Sequence, residues 1–136
     1  MQQFDLSGQV AVVTGGSRGI GRGIALGLAE AGAAVVPTAR SEDDVTAVAA
    51  EVEELGSESL AVTCDVTDPD SVRACFERTA DELGPVSTVV NNAGINPAAA
   101  LGPPEAVDDD AFDFVTDVNL RGAFTCAREA ASYLEE

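Results

Sequence analysis

Val10-Ala-Val-Val-Thr-Gly-Gly-Ser-Arg-Gly-Ile-Gly-Arg22 decides the reading of this chain. A β-branched apolar run ends in a glycine-rich turn, which opens into a helical pattern continuing to Glu30. A strand, a glycine loop and a helix in that order bring a phosphate to the exposed N–H groups and positive dipole end of the helix. The glycines stand at 15, 19 and 21, a G-x-x-x-G-x-G spacing in place of the commoner G-x-G-x-x-G. Gly15 would make the tight turn, Gly19 would admit a pyrophosphate close to the backbone, and Gly21 would let helix and strand pack closely. Taken alone, the loop fits an unliganded glycine turn as well as a phosphate cradle.

Outward from that loop, strands and helices alternate. Residues 10–14 form an apolar run suited to a strand buried on both faces. The first helix should stop at Gly32, and residues 34–38 read as a second strand in spite of Pro37, which cannot donate to a ladder. Ser41 caps a second helix that ends at Gly56, and residues 59–64 read as a third strand. Asp68-Pro69 opens a third helix that stops at Gly84-Pro85, and residues 87–91 read as a fourth strand. The Ala/Gly/Pro-rich residues 96–104 form a long loop, a place where function concentrates. Asp108-Asp-Asp110 then caps one last helix from about residue 111 onward. Strands alternating with helices predict an α/β fold with right-handed crossovers.

Composition narrows the partners. At 136 residues and 46% hydrophobic content, the chain suits one packed domain with no disorder signature. No apolar run reaches membrane-span length and the first residues carry no signal-peptide pattern, so a cytoplasmic location is expected. Three cysteines in apolar contexts read as buried thiols, and without histidine the usual zinc patterns are missing. Twenty-four acids face seven arginines and no lysine, for a net charge of −17. That field repels nucleic acid and anionic membrane surfaces, and obliges any phosphate site to carry its own positive charge. Such a surface resembles the cytoplasmic proteins of salt-loving (halophilic) microbes, so stability is expected to rise with KCl.

Four motifs occur in order: Thr14-Gly-Gly-Ser-Arg-Gly-Ile-Gly21, Cys64-Asp-Val66, Asn91-Asn-Ala-Gly94 and Asp117-Val-Asn-Leu120. Together they resemble the short-chain dehydrogenase/reductase family, in its short single-domain branch, over nearly the whole chain. The resemblance implies a Rossmann-like, doubly wound parallel sheet of strand order 3-2-1-4, here truncated before strand five. It implies that Gly15, Ser17, Arg18, Gly19 and Ile20 wrap the cofactor phosphates, with Gly21 in the same cofactor-binding loop. Asp65 would accept from the adenine amino group, with Val66 beside the ring, although Asp65 also suits a turn. Asn92, Ala93 and Gly94 would run under the ribose toward the nicotinamide, and Val118 would line the same site.

At the end of the second strand, where NAD enzymes place a carboxylate, this chain has Thr38-Ala39-Arg40. Arg40 with Arg18 resembles members that prefer NADP(H) over NAD(H), through charge-assisted contacts to a 2′-phosphate. In family catalysis an Asn, a Ser and a Tyr-x-x-x-Lys pair form a proton relay. Asn119 matches the first member; its alternative reading is a polar residue that bends the helix. Tyr133, the single tyrosine, lies in the same helix as Asn119, and the position four beyond it would be 137. The chain is therefore expected to resemble the N-terminal half of a reductase acting on a small carbonyl or alcohol. The alternatives are a non-catalytic dinucleotide-binding module, a split subunit needing a complementary chain, or a truncated inactive product. The open edge of strand four and the apolar last helix are expected to favour self-association or such a partner.

Overall fold

The computed structural model describes residues 4–134. In chain order its regular elements are β1 (Val10–Thr14), α1 (Gly19–Glu30), β2 (Ala34–Thr38), α2 (Glu42–Glu54), α3 (Pro69–Leu83), β3 (Thr88–Val90), α4 (Asp109–Thr116) and α5 (Gly122–Leu134). The strands are parallel in the order β2-β1-β3, with Val12 opposite both Val36 and Val89. The alternation of strands and helices predicts such a parallel α/β sheet, and the family resemblance implies its Rossmann-like form.

The continuous apolar run of β1 has a direct structural cause. Successive side chains on a strand point to opposite faces. Val12 and Val36 pack with Val72, Cys75 and Phe76 of α3 and with Cys126 and Ala130 of α5. Val13 and Val35 pack on the other face with Ala25 and Ala29 of α1 and Val52 of α2. Each face is covered by helices, so neither can be polar. A fully buried valine contributes on the order of 1.5–3 kcal/mol. The three cysteines are buried and free, as their apolar contexts suggest.

The expected third strand is not a continuous strand. Residues 59–63 lie beside β2 in the predicted place, yet make only the isolated bridges Val35–Ser59 and Ala39–Thr63. The cause is Pro37. Val35 N donates to Glu58 O, and Ala39 O accepts from Cys64 N, so odd-numbered β2 residues face this segment. Pro37 therefore presents a ring nitrogen without hydrogen where the ladder needs a donor. The proline leaves its own strand intact, because the β1-facing groups belong to even-numbered residues, and breaks the neighbouring one instead.

The last helix also departs from the expected single span. A π-helical turn, Asp117–Arg121, separates α4 from α5. Such turns insert a residue without changing the hydrophobic pattern enough to be read. Gly122 follows it, packed so closely on Val66 that a Cβ would lie 2.7 Å from Cγ2 of that side chain. Elsewhere the capping signals hold: Ser41 Oγ accepts from Asp44 N at 3.4 Å, Asp68 Oδ1 from Asp70 N at 3.0 Å, and Asp108 Oδ1 from Ala111 N at 2.8 Å. The loop over 96–104 contains one single-turn 3₁₀ helix, Ala98–Ala100, and runs into another, Pro104–Ala106. No helix among the described residues is long and apolar enough to cross a membrane.

Candidate functional site

At the carboxyl ends of β1, β2 and β3 lies a cleft of about 390 Å³. In open parallel sheets, ligands bind in the crevice outside these strand ends, where the connections reverse direction. Here the reversal falls between β1 and β3, and Thr14 closes it. Its hydroxyl accepts from Asn92 N at 3.1 Å and from Ala93 N at 3.0 Å, and donates to Val90 O at 3.3 Å. Asn92 Nδ2 donates across the gap to Gly15 O at 3.0 Å. The exit of β3 is thereby fastened to the glycine loop.

Two glycines make that fastening possible. Gly15 has a φ of +64°, and a Cβ there would sit 3.0 Å from Ala93 Cα. A Cβ on Gly21 would collide with Gly15 O and Asn92 Nδ2. Gly21 is thus packed beneath the loop, facing away from the cleft. Arg18 stands at the N-cap of α1 in extended geometry and makes no side-chain cap bond. The first amide groups of a helix have no intrahelical acceptor, so those of α1 are left for other partners.

The electrostatics are concentrated in two arginines. Among the described residues, Arg22 pairs with Glu51, Arg73 with Asp70 and Glu129, Arg78 with Glu82, Arg121 with Asp117, and Arg128 with Glu129. Arg18 and Arg40, by contrast, line the cleft and form no ion pair within 4.0 Å among those residues. In a chain of net charge −17, uncommitted arginines are scarce. Asp65 also lines the cleft, and its Oδ1 accepts from Thr67 N at 3.0 Å and Thr67 Oγ1 at 2.7 Å. The Thr67 hydroxyl chiefly lowers the Asp65 pKa, partial burial opposes this, and the nearby Arg40 charge adds a smaller lowering. Asp65 therefore forms a turn at the wall of the cleft.

Of the residues singled out from sequence, Gly15, Ser17, Arg18, Arg40, Asp65, Val66, Asn92, Ala93, Gly94 and Val118 line this one cleft. Gly19, Ile20, Gly21 and Asn119 are not among its lining residues. Asn119 instead grips one residue of the wall: its Oδ1 accepts from Ile95 N at 2.8 Å and its Nδ2 donates to Ile95 O at 3.0 Å. The π turn places it there.

The model of the short chain dehydrogenase family matches residues 9–136. The chain belongs to the short-chain dehydrogenase family. It is 40% identical over 134 residues to the versicolorin reductase of Emericella nidulans, covering 98% of this chain and 50% of that protein. It is 38% identical over 143 aligned residues to the NADPH-dependent aldehyde reductase-like chloroplastic protein of Arabidopsis thaliana, covering 96% of this chain and 52% of that one. A solved short-chain type dehydrogenase/reductase of Mycobacterium marinum superposes with a TM-score of 0.89 at 40% identity, covering 96% of this chain and 51% of that one. The chain spans about half the length of the relatives it matches.

This short-chain dehydrogenase chain thus has the nucleotide-binding fold of an oxidoreductase family that binds NAD(P). The uncommitted arginines, the free helix N-terminus and the glycine loop suit a phosphate-bearing cofactor. Several wall residues were given no cofactor role from sequence: Thr14, Thr38, Ala39, Ser41, Asp44, Cys64 and Ile95. Thr14 and Cys64 stand within the quoted motifs. Ser41 and Asp44 were read only as the start of a helix, a role they also fill.

Proposed function

We propose that this chain forms the dinucleotide-binding portion of an NADP(H)-dependent oxidoreductase that moves hydride between nicotinamide and a small carbonyl or alcohol. The observation that carries the cofactor preference is the pair Arg18 and Arg40, on one cleft and in no ion pair within 4.0 Å among the described residues. A 2′-phosphate between them would gain charge-assisted hydrogen bonds, each worth on the order of 1.5–3 kcal/mol. The amide groups from Gly15 to Ile20 would hold the pyrophosphate, Asp65 and Val66 the adenine, and Asn92 to Gly94 the ribose and the start of the nicotinamide pocket. When bound, the nicotinamide supplies or accepts the hydride. Asn119 would keep the Ile95 backbone in place, and its remaining Nδ2 hydrogen can orient a water toward the proton path. The acid-rich, lysine-free sequence supports a cytoplasmic setting of high salt, with a melting temperature that climbs as KCl is raised toward molar levels.

A second reading has its own support: a binding module or split subunit completed by another copy or by a complementary chain. Phe112, Leu120 and Phe124 are 62%, 68% and 61% exposed, and the residues of β3 are only half-buried. A chain carrying Ser and Tyr-x-x-x-Lys would complete both the sheet and the relay. Titration with NADPH and NADH in molar KCl, followed by nicotinamide fluorescence and heat, tests the cofactor reading. Saturable binding that favours NADPH is expected; equal affinity for both would remove the preference. Light scattering of the same sample is expected to give a mass above that of one chain.

A further inference from the structure

We propose that Asp44 is a specificity-determining residue that opposes the 2′-phosphate, weakening its binding most at low salt and less at high salt. The inference rests on the reading of the cleft as an NADP(H) site. Three acids fill the first turn of α2: Glu42, Asp43 and Asp44. Asp44 alone of the three lines the cleft with Arg18 and Arg40, and it is half-buried while the other two are exposed. It forms no ion pair within 4.0 Å among the described residues. Its place is set locally, because its own amide donates to the Ser41 cap at 3.4 Å.

The charge count explains the effect. Two arginines and two carboxylates, Asp44 and Asp65, face the cleft, so its formal charge is zero. Asp65 has one oxygen committed to Thr67, whereas among the described residues no hydrogen bond commits the Asp44 carboxylate. A phosphate of charge near −2 entering beside Arg40 meets that carboxylate within one wall of the same cleft. Such repulsion reaches across about 10 Å at 0.1 M salt but only about 3 Å at 1 M. The acid that suits the dipole of α2 therefore penalises the ligand, and salt weakens the penalty without removing the acid.

The test compares adenosine 2′,5′-bisphosphate with 5′-AMP, which lacks only the 2′-phosphate, by calorimetry on the full chain. Asp44→Asn and the control Asp43→Asn change net charge equally and sit in the same helical turn. Each is measured at the lowest KCl that preserves the native circular dichroism, and again at about 2 M. Asp44→Asn is expected to tighten the bisphosphate about three- to tenfold at low salt and less than about twofold at high salt. It should leave 5′-AMP unchanged, and Asp43→Asn should change neither ligand. No gain for Asp44→Asn, or an equal gain for Asp43→Asn, overturns the proposal while the cofactor reading stands. Wild-type chain that binds 5′-AMP as tightly as the bisphosphate, or binds neither, overturns the cofactor reading and the proposal with it.

Discussion

The N-terminus of α1 and those of α2, α3 and α4 solve the same physical problem in opposite ways. Each presents amide groups without intrahelical acceptors and a positive dipole end. At α2, α3 and α4 the chain supplies its own anions: Ser41, Asp68 and Asp108 cap, and Glu42, Asp43, Asp44, Asp70, Asp109 and Asp110 crowd the first turns. At α1 there is no side-chain cap and no acid in the first turn, and the N-cap residue is Arg18. Of these four starts, the chain with twenty-four acids leaves only that of α1 without an acid or a side-chain cap, and its Arg18 lines the cleft. Three starts are finished internally; that of α1 is left open at the cleft.

The contrast can be broken most severely at the loop itself. Gly21→Val would drive a side chain into Gly15 O and Asn92 Nδ2, separating α1 from the exit of β3. Overpacking of this kind costs about 2–3 kcal/mol, so a melting temperature lower by roughly 10 °C is expected, with cofactor binding lost. The next largest effect lies at the phosphate end. Arg40→Asp is expected to weaken NADPH by about 10- to 100-fold while leaving NADH within about twofold. Equal losses for both cofactors would show that Arg40 serves the fold alone.

Smaller changes compare the two kinds of helix start directly. Asp68→Ala removes a filled cap and should cost about 1 kcal/mol in urea unfolding, with no change in nucleotide affinity. Arg18→Asp adds the missing cap to α1. It should raise stability by about 0.5–1 kcal/mol and abolish the preference for a 2′-phosphate. Stability and binding are thus expected to move in opposite directions. If both fall together, Arg18 itself holds the start of α1.

Much of the site was legible because its signals are local. Glycines at 15, 19 and 21, the caps at Ser41, Asp68 and Asp108, and the two-sided apolar run of β1 each reflect the steric and hydrogen-bonding needs of neighbouring residues. Pro37 was visible, yet its effect fell on another segment, because strand pairing decides which side of β2 each amide faces. The π turn was not legible, since a one-residue insertion leaves the apolar pattern of the last helix nearly unchanged. Asn119 was found by its motif, but its grip on Ile95 spans 24 residues and needed the fold.

By itself the sequence determined the order of the elements, the parallel two-sided sheet, the glycine loop and an acidic surface that tolerates few anions. Only the tertiary structure decided which charges remain available. Arg22 is committed to Glu51 across 29 residues and Arg73 to Glu129 across 56, while Arg18, Arg40 and Asp44 meet at one cleft. Periodicity and caps are set by contacts within a few residues of one another. Charge pairing between elements is set by how packed layers bring distant turns together, and no local pattern encodes that distance.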